Sequence, residues 1–257
     1  VKPVLQTSTI GHSREGRPLL LRRLNPSGTR GGTLLIGGVH GNEQATFFLL
    51  DRFLDRALAR GGDAPRRVAL LARANPDAIA RESRYNARGV DINRNFETAW
   101  TPESKEPSGA APWSEPETRH LRDWLLASEP ERIVTLHWAL AEVDADGPQS
   151  TPLAQAMWEA LDDTARLPYR LRTWGGEEGD FCPGSLGRWA GFGLRYADGT
   201  RPAIVTLELP YDPRLPRPAV LPEDHLETVR TAWAQRPLDY LAAAEPAVTR
   251  MLFAACQ

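Results

Sequence analysis

The chain has 257 residues, 41% of them hydrophobic and 25% charged, with a formal net charge of −2. That is the balance of a globular protein able to bury one substantial core, and it supplies no field to steer nucleic acid or an anionic membrane. No apolar run reaches the roughly 18–20 residues of a membrane span, and Cys182 and Cys256 have neither the count nor the spacing of a disulfide framework or a thiolate zinc site.

In chain order, "PLLLRRL" (18–24) and "TLLIGG" (33–38) flank a turn-rich "NPSGTRGG" and read as a hairpin entering a sheet. From Asn42 the period changes: Phe47, Leu50, Leu54 and Leu58 share one helical face, and "RGGD" (60–63) ends the helix. "RRVALLARAN" (66–75) is a strand buried on both sides. Residues 75 to about 113 are irregular, which is long for a connection and marks a candidate functional region. A helix follows over 115–128, with Ser114 and Glu117 spaced as a capping box, and then a strand, "RIVTLH" (132–137). A polar loop runs to Ser150, before a helix over 152–166 and a short strand near "YRLRTW". A glycine-rich loop (175–187) leads to a further helical piece, "AIVTLELP" (203–210) is a strand, and a last helix is expected over 221–244. Strands alternating with helices predict one α/β domain over 1–257, a central mixed, twisted sheet with helices on both faces.

In such sheets sites gather at the carboxyl ends of strands. His40 and Glu43 follow the strand at 33–38, Asn75 ends the next, His137 ends a third, and Glu208 lies near the end of a fourth. Two histidines and a carboxylate are the usual three-ligand set of a catalytic zinc site, with the fourth position left to water. The plainer alternative is a polar strand-to-helix turn beside a satisfied histidine. A carboxylate flanked by Leu207 and Leu209 is costly to bury without a partner or a function, and desolvation lifts its pKa toward the range of a general base. Within "RYNARGVDINRNF" (84–96), Arg94 between two asparagines suits two-point binding of a carboxylate, and Arg84 suits a developing oxyanion. Asp144 and Asp146 either line a pocket or form the turn before Gly147–Pro148. His12, His120 and His225 lack partners at ligand spacing.

Taken together, "GGVHGNE", "GVDINRNF", "TLH" and "TLELP" resemble the zinc carboxypeptidases of the carboxypeptidase A clan. The resemblance implies one Zn2+ per chain on His40, Glu43 and His137, substrate carboxylate on Asn93 and Arg94, carbonyl polarisation by Arg84 and base catalysis by Glu208. "NPDA", "SEPET", "VDADGP" and "PGSLGRWAG" are similar to the bacterial murein peptide amidase branch, which cuts between γ-D-glutamate and meso-diaminopimelate. This implies a small murein-derived peptide as partner, with no nucleic acid, a cytoplasmic setting (periplasmic if a leader was trimmed), and no reading of assembly state. Glu177, Glu178 and Asp180 are candidates for the substrate ammonium, against a solvated loop. Trp138 departs from the small or polar residue of many relatives, and no tyrosine in 175–190 matches the mobile tyrosine of the digestive enzymes. "HGNE" and "D-x-N-R" also fit the aspartoacylase and succinylglutamate desuccinylase group, and a non-catalytic peptide binder is the remaining alternative.

Overall fold

The computed structural model describes residues 2–28, 30–174, 182–221, 231 and 233–257. Eight strands form one sheet: β1 (Leu5–His12), β2 (Pro18–Leu24), β3 (Thr33–Ile36), β4 (Val68–Leu71), β5 (Arg132–Trp138), β6 (Glu142–Ala145), β7 (Arg170–Arg172) and β8 (Ala203–Leu209). Their order is β1-β2-β4-β3-β5-β8-β6-β7. The centre, β4-β3-β5-β8, is parallel, whereas β2 and β6 join it antiparallel, so the sheet is mixed as expected.

Alternation along the strands builds two cores. Leu35, Val68, Leu70, Val134, Leu136, Val205 and Leu207 face helices α1 (Gln44–Ala59), α4 (Thr151–Glu159) and α7 (Pro237–Ala255). Leu34, Ile36, Ala69, Leu71, Ile133 and Ile204 face α3 (Pro116–Ser128) and the short α6 (Leu186–Arg188), which continues into a wide turn at Trp189–Gly193. The remaining helices are short, α2 (Pro76–Ala80) and α5 (Asp163–Arg166). No helix among the described residues is long and apolar enough to cross a membrane.

Several expectations are corrected. The 18–24 and 33–38 segments are not a hairpin: β2 pairs with β1 and β4, and β3 with β4 and β5. The hairpin partner is β1, which escapes pattern reading because as an edge strand it is mostly exposed and carries no apolar alternation. The strand expected over 66–75 stops at Leu71, and Asn75 instead caps α2, its side chain accepting from the Ala78 N–H. Ser114 and Glu117 form no capping box. Glu115 occupies the cap position, Ser114 Oγ donates to Glu115, and Glu117 accepts from the Arg14 N–H. Part of the loop to Ser150 is β6, and the helix over 152–166 is broken between Glu159 and Asp163. The last helix lies at 237–255, and 222–230 and 232 of the expected 221–244 fall outside the described residues.

Candidate active site

The cleft opens at the carboxyl ends of β3, β5 and β8. Beyond Ile36 the chain turns sharply: Gly38 has φ +60°, a conformation favouring glycine, and a Cβ on Gly41 would lie 2.0 Å from the Ala78 backbone carbon. This close pass delivers buried His40 to the cleft. Glu43 stands at the cap position of α1, one residue before the helix, with its N–H bonded to the His40 carbonyl (3.2 Å). Cross-strand register supplies the rest, because His137 on β5 is the direct neighbour of Glu208 on β8.

His40, Glu43 and His137 are brought together. Among the described residues they are the one group of three possible metal-binding side chains, with ligand atoms all within 4.8 Å of one another. His40 Nδ1 lies 2.7 Å from Glu43 Oε1, and His137 Nδ1 3.2 Å from Glu43 Oε2. Burial disfavours the His40 imidazolium, but Glu43 and Asp91 outweigh it and raise the histidine to about 9. Burial likewise opposes ionisation of Glu43, yet the two histidines hold it down at about 2. His137 is lowered, with burial as the largest cause. Two imidazoles and a carboxylate converging through Nδ1, Nδ1 and Oε suit a zinc ion by donor type and by spacing.

Asp91, which sequence reading passed over, completes this arrangement. Fully buried, it lies 3.1 Å from His40 Nε2, accepts from Arg84 Nε (3.0 Å) and pairs with Arg84 Nη2 (2.8 Å), and caps the Asn93 N–H (2.8 Å). A carboxylate on the outer nitrogen leaves Nδ1 for the metal side. Its pKa is well below the usual range: desolvation opposes this, and His40 and Arg84 overcome it. The signal was in "GVDINRNF", where an aspartate stands two residues before the asparagine already singled out.

Arg84 reaches this cluster, with Nη1 3.4 Å from His40 Nδ1 and 3.8 Å from Glu43 Oε1. Asn93 and Arg94 line the same cleft. The Asn93 side-chain oxygen accepts from the Leu186 N–H (2.9 Å), and Arg94 Nη1 donates to the Asn93 carbonyl (2.8 Å). Asn95 behind them is fully buried; it donates to Ser108, Ala111 and Ser114 and accepts from Glu115 and Thr118, tying the arginine loop to α3. Glu208 Oε2 accepts from the Leu140 N–H (3.3 Å), and burial followed by the charge of Glu43 pushes its carboxyl up to about 8.

The cleft encloses about 340 Å³ and is also lined by Thr135, Glu142, Asp144, Asp146, Arg172 and Thr206. Asp144 and Asp146 therefore lie on the cleft, while Thr135, Glu142, Arg172 and Thr206 were missed; period-two spacing leads from His137 to Thr135, from Asp144 to Glu142 and from Glu208 to Thr206, but gives no signal for Arg172. The Trp138 ring is buried with Tyr240 (4.8 Å) and Trp233 (5.3 Å), its Nε1 donating to the Pro210 carbonyl. Glu177, Glu178, Asp180 and His225 lie outside the described residues.

Residues 2–139 match the zinc carboxypeptidase family. Murein peptide amidase A of Escherichia coli (strain K12) is 31% identical over 198 residues, covering 71% of this chain and 75% of that protein. The crystal structure of murein-tripeptide amidase MpaA from Escherichia coli O157 superposes with a TM-score of 0.60 at 26% identity, over 95% of this chain and 91% of that one. A shorter similarity, 44% over 63 residues, covers 24% of this chain and 18% of succinylglutamate desuccinylase from Pseudomonas fluorescens (strain SBW25). With its matched sequence and a mixed sheet of the same fold, the chain belongs to the zinc carboxypeptidase family and is a peptide hydrolase.

Proposed function

We propose that the chain is a zinc-dependent amidase cutting next to a carboxylate-bearing terminal residue, and that its substrate bond is γ-D-glutamyl-meso-diaminopimelate in murein peptides. The observation carrying this reading is that Glu208, Arg84, Asn93 and Arg94 surround the His40–Glu43–His137 cluster in one cleft. The longer similarity to the amidase, 198 residues against 63 for the desuccinylase, supports the murein peptide over an N-acyl amino acid.

His40, Glu43 and His137 would hold the ion. Zinc bound there supplies Lewis acidity and a water that loses its proton near neutral pH. The other roles belong to the chain. Glu208, raised by burial and by Glu43, has the proton affinity to take a proton from the attacking water and return it to the leaving amine. Arg84 presents Nη1 beside the ligand set, where it can donate to the scissile carbonyl as charge develops on its oxygen. Arg94 offers the planar fork that grips a terminal carboxylate and fixes which amide faces the metal.

The test is hydrolysis of L-Ala-γ-D-Glu-meso-diaminopimelate beside N-succinyl-glutamate and N-acetyl-aspartate, each with and without a chelator. Chelator-sensitive cleavage of the tripeptide alone supports the amidase. Preference for an N-acyl amino acid replaces it with a deacylase, and zinc binding without turnover leaves a peptide binder.

A further inference from the structure

Two rows of side chains cross the sheet at the cleft. The first is His137, Glu208, Glu142 and Arg170; the second, one step deeper, is Thr135, Thr206, Asp144 and Arg172. In the first row register sets two carboxylates, Glu208 and Glu142, on neighbouring strands, and each is held in its own way. Glu142 is buried against three arginines: Arg170, Arg172 (Nη1 at 3.3 Å) and Arg217 (Nη2 at 3.1 Å). Glu208 accepts from the Leu140 N–H, on the turn that joins β5 to β6.

That turn is not a relaxed one. Ala141 has φ +59°, a left-handed conformation rare outside glycine, which persists only where the surroundings over-determine it. Its N–H donates to the Leu209 carbonyl (3.2 Å), and its carbonyl accepts from the Arg170 N–H (2.9 Å). The Leu140 side chain is 40% exposed, so packing does little to fix this residue and its orientation rests on hydrogen bonds. Besides the bond to Glu208, Leu140 is held through its carbonyl, which accepts from Arg217 Nε (3.1 Å).

Arg217 comes from the segment that follows β8 and does not line the cleft. Its backbone N–H donates to the Leu167 carbonyl (2.7 Å), its Nη1 donates to the Pro218 carbonyl (3.2 Å), and its side chain is 11% exposed. The guanidinium thus uses all three nitrogens: Nε on Leu140, Nη2 on Glu142 and Nη1 on its own segment. A planar fork can serve three acceptors in fixed directions, and the point charge of an ammonium cannot.

Resting on Glu208 as the base, we infer that Arg217 is a positioning residue for the reaction. By holding the Leu140 carbonyl it aims the Leu140 N–H at the Glu208 carboxylate and keeps that carboxylate in one orientation beside the His40–Glu43–His137 cluster. Because Arg217 acts from behind the cleft wall, its loss should appear in kcat and not in KM.

Steady-state kinetics of the zinc-loaded enzyme, with amide hydrogen exchange of Leu140, test the inference. Arg217→Ala should lower kcat about ten- to hundred-fold, the scale of a misaligned catalytic group, with KM and zinc affinity within about two-fold of wild type. Arg217→Lys, which keeps the charge beside Glu142 without the fork, should show the same split at about five-fold or more. Arg170→Ala also takes an arginine from Glu142 but leaves the Leu140 carbonyl bonded, and its kcat should stay within about two-fold of wild type. The Leu140 amide should exchange about ten-fold faster in Arg217→Ala and at the wild-type rate in Arg170→Ala. Wild-type kcat in both Arg217 variants, an equal loss in Arg170→Ala, a loss carried by KM, or an unchanged Leu140 exchange rate in Arg217→Ala overturns the inference. The two claims separate. Turnover lost in Glu208→Gln but kept in Arg217→Ala defeats the positioning role and leaves the amidase standing. Cleavage of N-succinyl-glutamate in place of the tripeptide defeats the amidase, and the same fall in kcat on that substrate, with faster Leu140 exchange, upholds Arg217.

Discussion

Asp91→Ala probes the arrangement behind the ligand set. The substitution removes the 3.1 Å contact to His40 Nε2, both bonds from Arg84 and the cap on the Asn93 N–H, all at a fully buried position. Breaking a buried charged group out of such a network costs about 3–5 kcal/mol; the lower end applies because Arg84 is 28% exposed and retains Glu43 at 3.8 Å. For a chain of this length about 3 kcal/mol lowers Tm by roughly 6–12 °C. Loss of the carboxylate on the outer nitrogen of a ligating histidine should weaken zinc binding about 10–100-fold.

The pH dependence has a definite sign. Asp91 is depressed, so its contribution is present above 3.8 and fades on acidification. His40 is raised to about 9, so its attraction to Asp91 in the metal-free protein is full below 6.5 and lost as pH rises through about 9. The stability gap between wild type and variant should therefore be widest from about pH 4 to 6.5. Urea unfolding of the metal-free proteins at pH 6 and 9.5, with zinc affinity by competition against a chromophoric chelator, measures both effects. Wild-type zinc affinity together with an unchanged midpoint at pH 6 would refute the reasoning.

Other substitutions separate roles in the same cleft. Glu208→Gln should bind zinc and peptide as the wild type does and lose nearly all turnover; a variant with wild-type kcat removes Glu208 as the base. In the metal-free protein Glu208 is raised to about 8, so its burial erodes stability as pH climbs from 4.5 through that value. Glu208→Gln should then match wild type at pH 4.5 and exceed it at pH 9, and a difference independent of pH would contradict the shift. Arg94→Ala should raise KM for a carboxylate-ended peptide about 30- to 160-fold, from roughly 2–3 kcal/mol of charge-assisted bonding, and leave kcat nearly unchanged. An equal effect on the amidated peptide would show that Arg94 does not hold the carboxylate. Gly41→Ala drives a methyl into the Ala78 backbone and should cost more than about 2 kcal/mol in urea unfolding, and a neutral result would deny the close pass.

The buried strands were legible because their apolar runs are continuous, and with them the strand ends that carry His40, His137 and Glu208. What escaped reading depends on partners distant in sequence. The exposed β1 and the short β6 take their identity from neighbours across the sheet, and the β2–β3 hairpin failed because β4, about 40 residues later in the chain, takes the position between them. Asp91 stood two residues from Asn93, but its contact with His40 spans 51 residues of chain, and spacing along the sequence cannot show it. Thr135 and Thr206 looked like ordinary strand threonines until register set them side by side.

Those paired rows bear on how the cleft can change. The row with His137 and Glu208 and the row with Thr135, Thr206 and Asp144 ride on the same strands but are offset by one side-chain repeat, so substitutions in the second can alter its shape and charge without shifting the first. Insertion of a single residue in β6 is a different matter. It would turn Glu142 and Asp144 into the apolar layer now held by Val143 and Ala145, and expose those two to the cleft. Redesign of this enzyme is thus open to point replacement along a row and closed to changes in strand length.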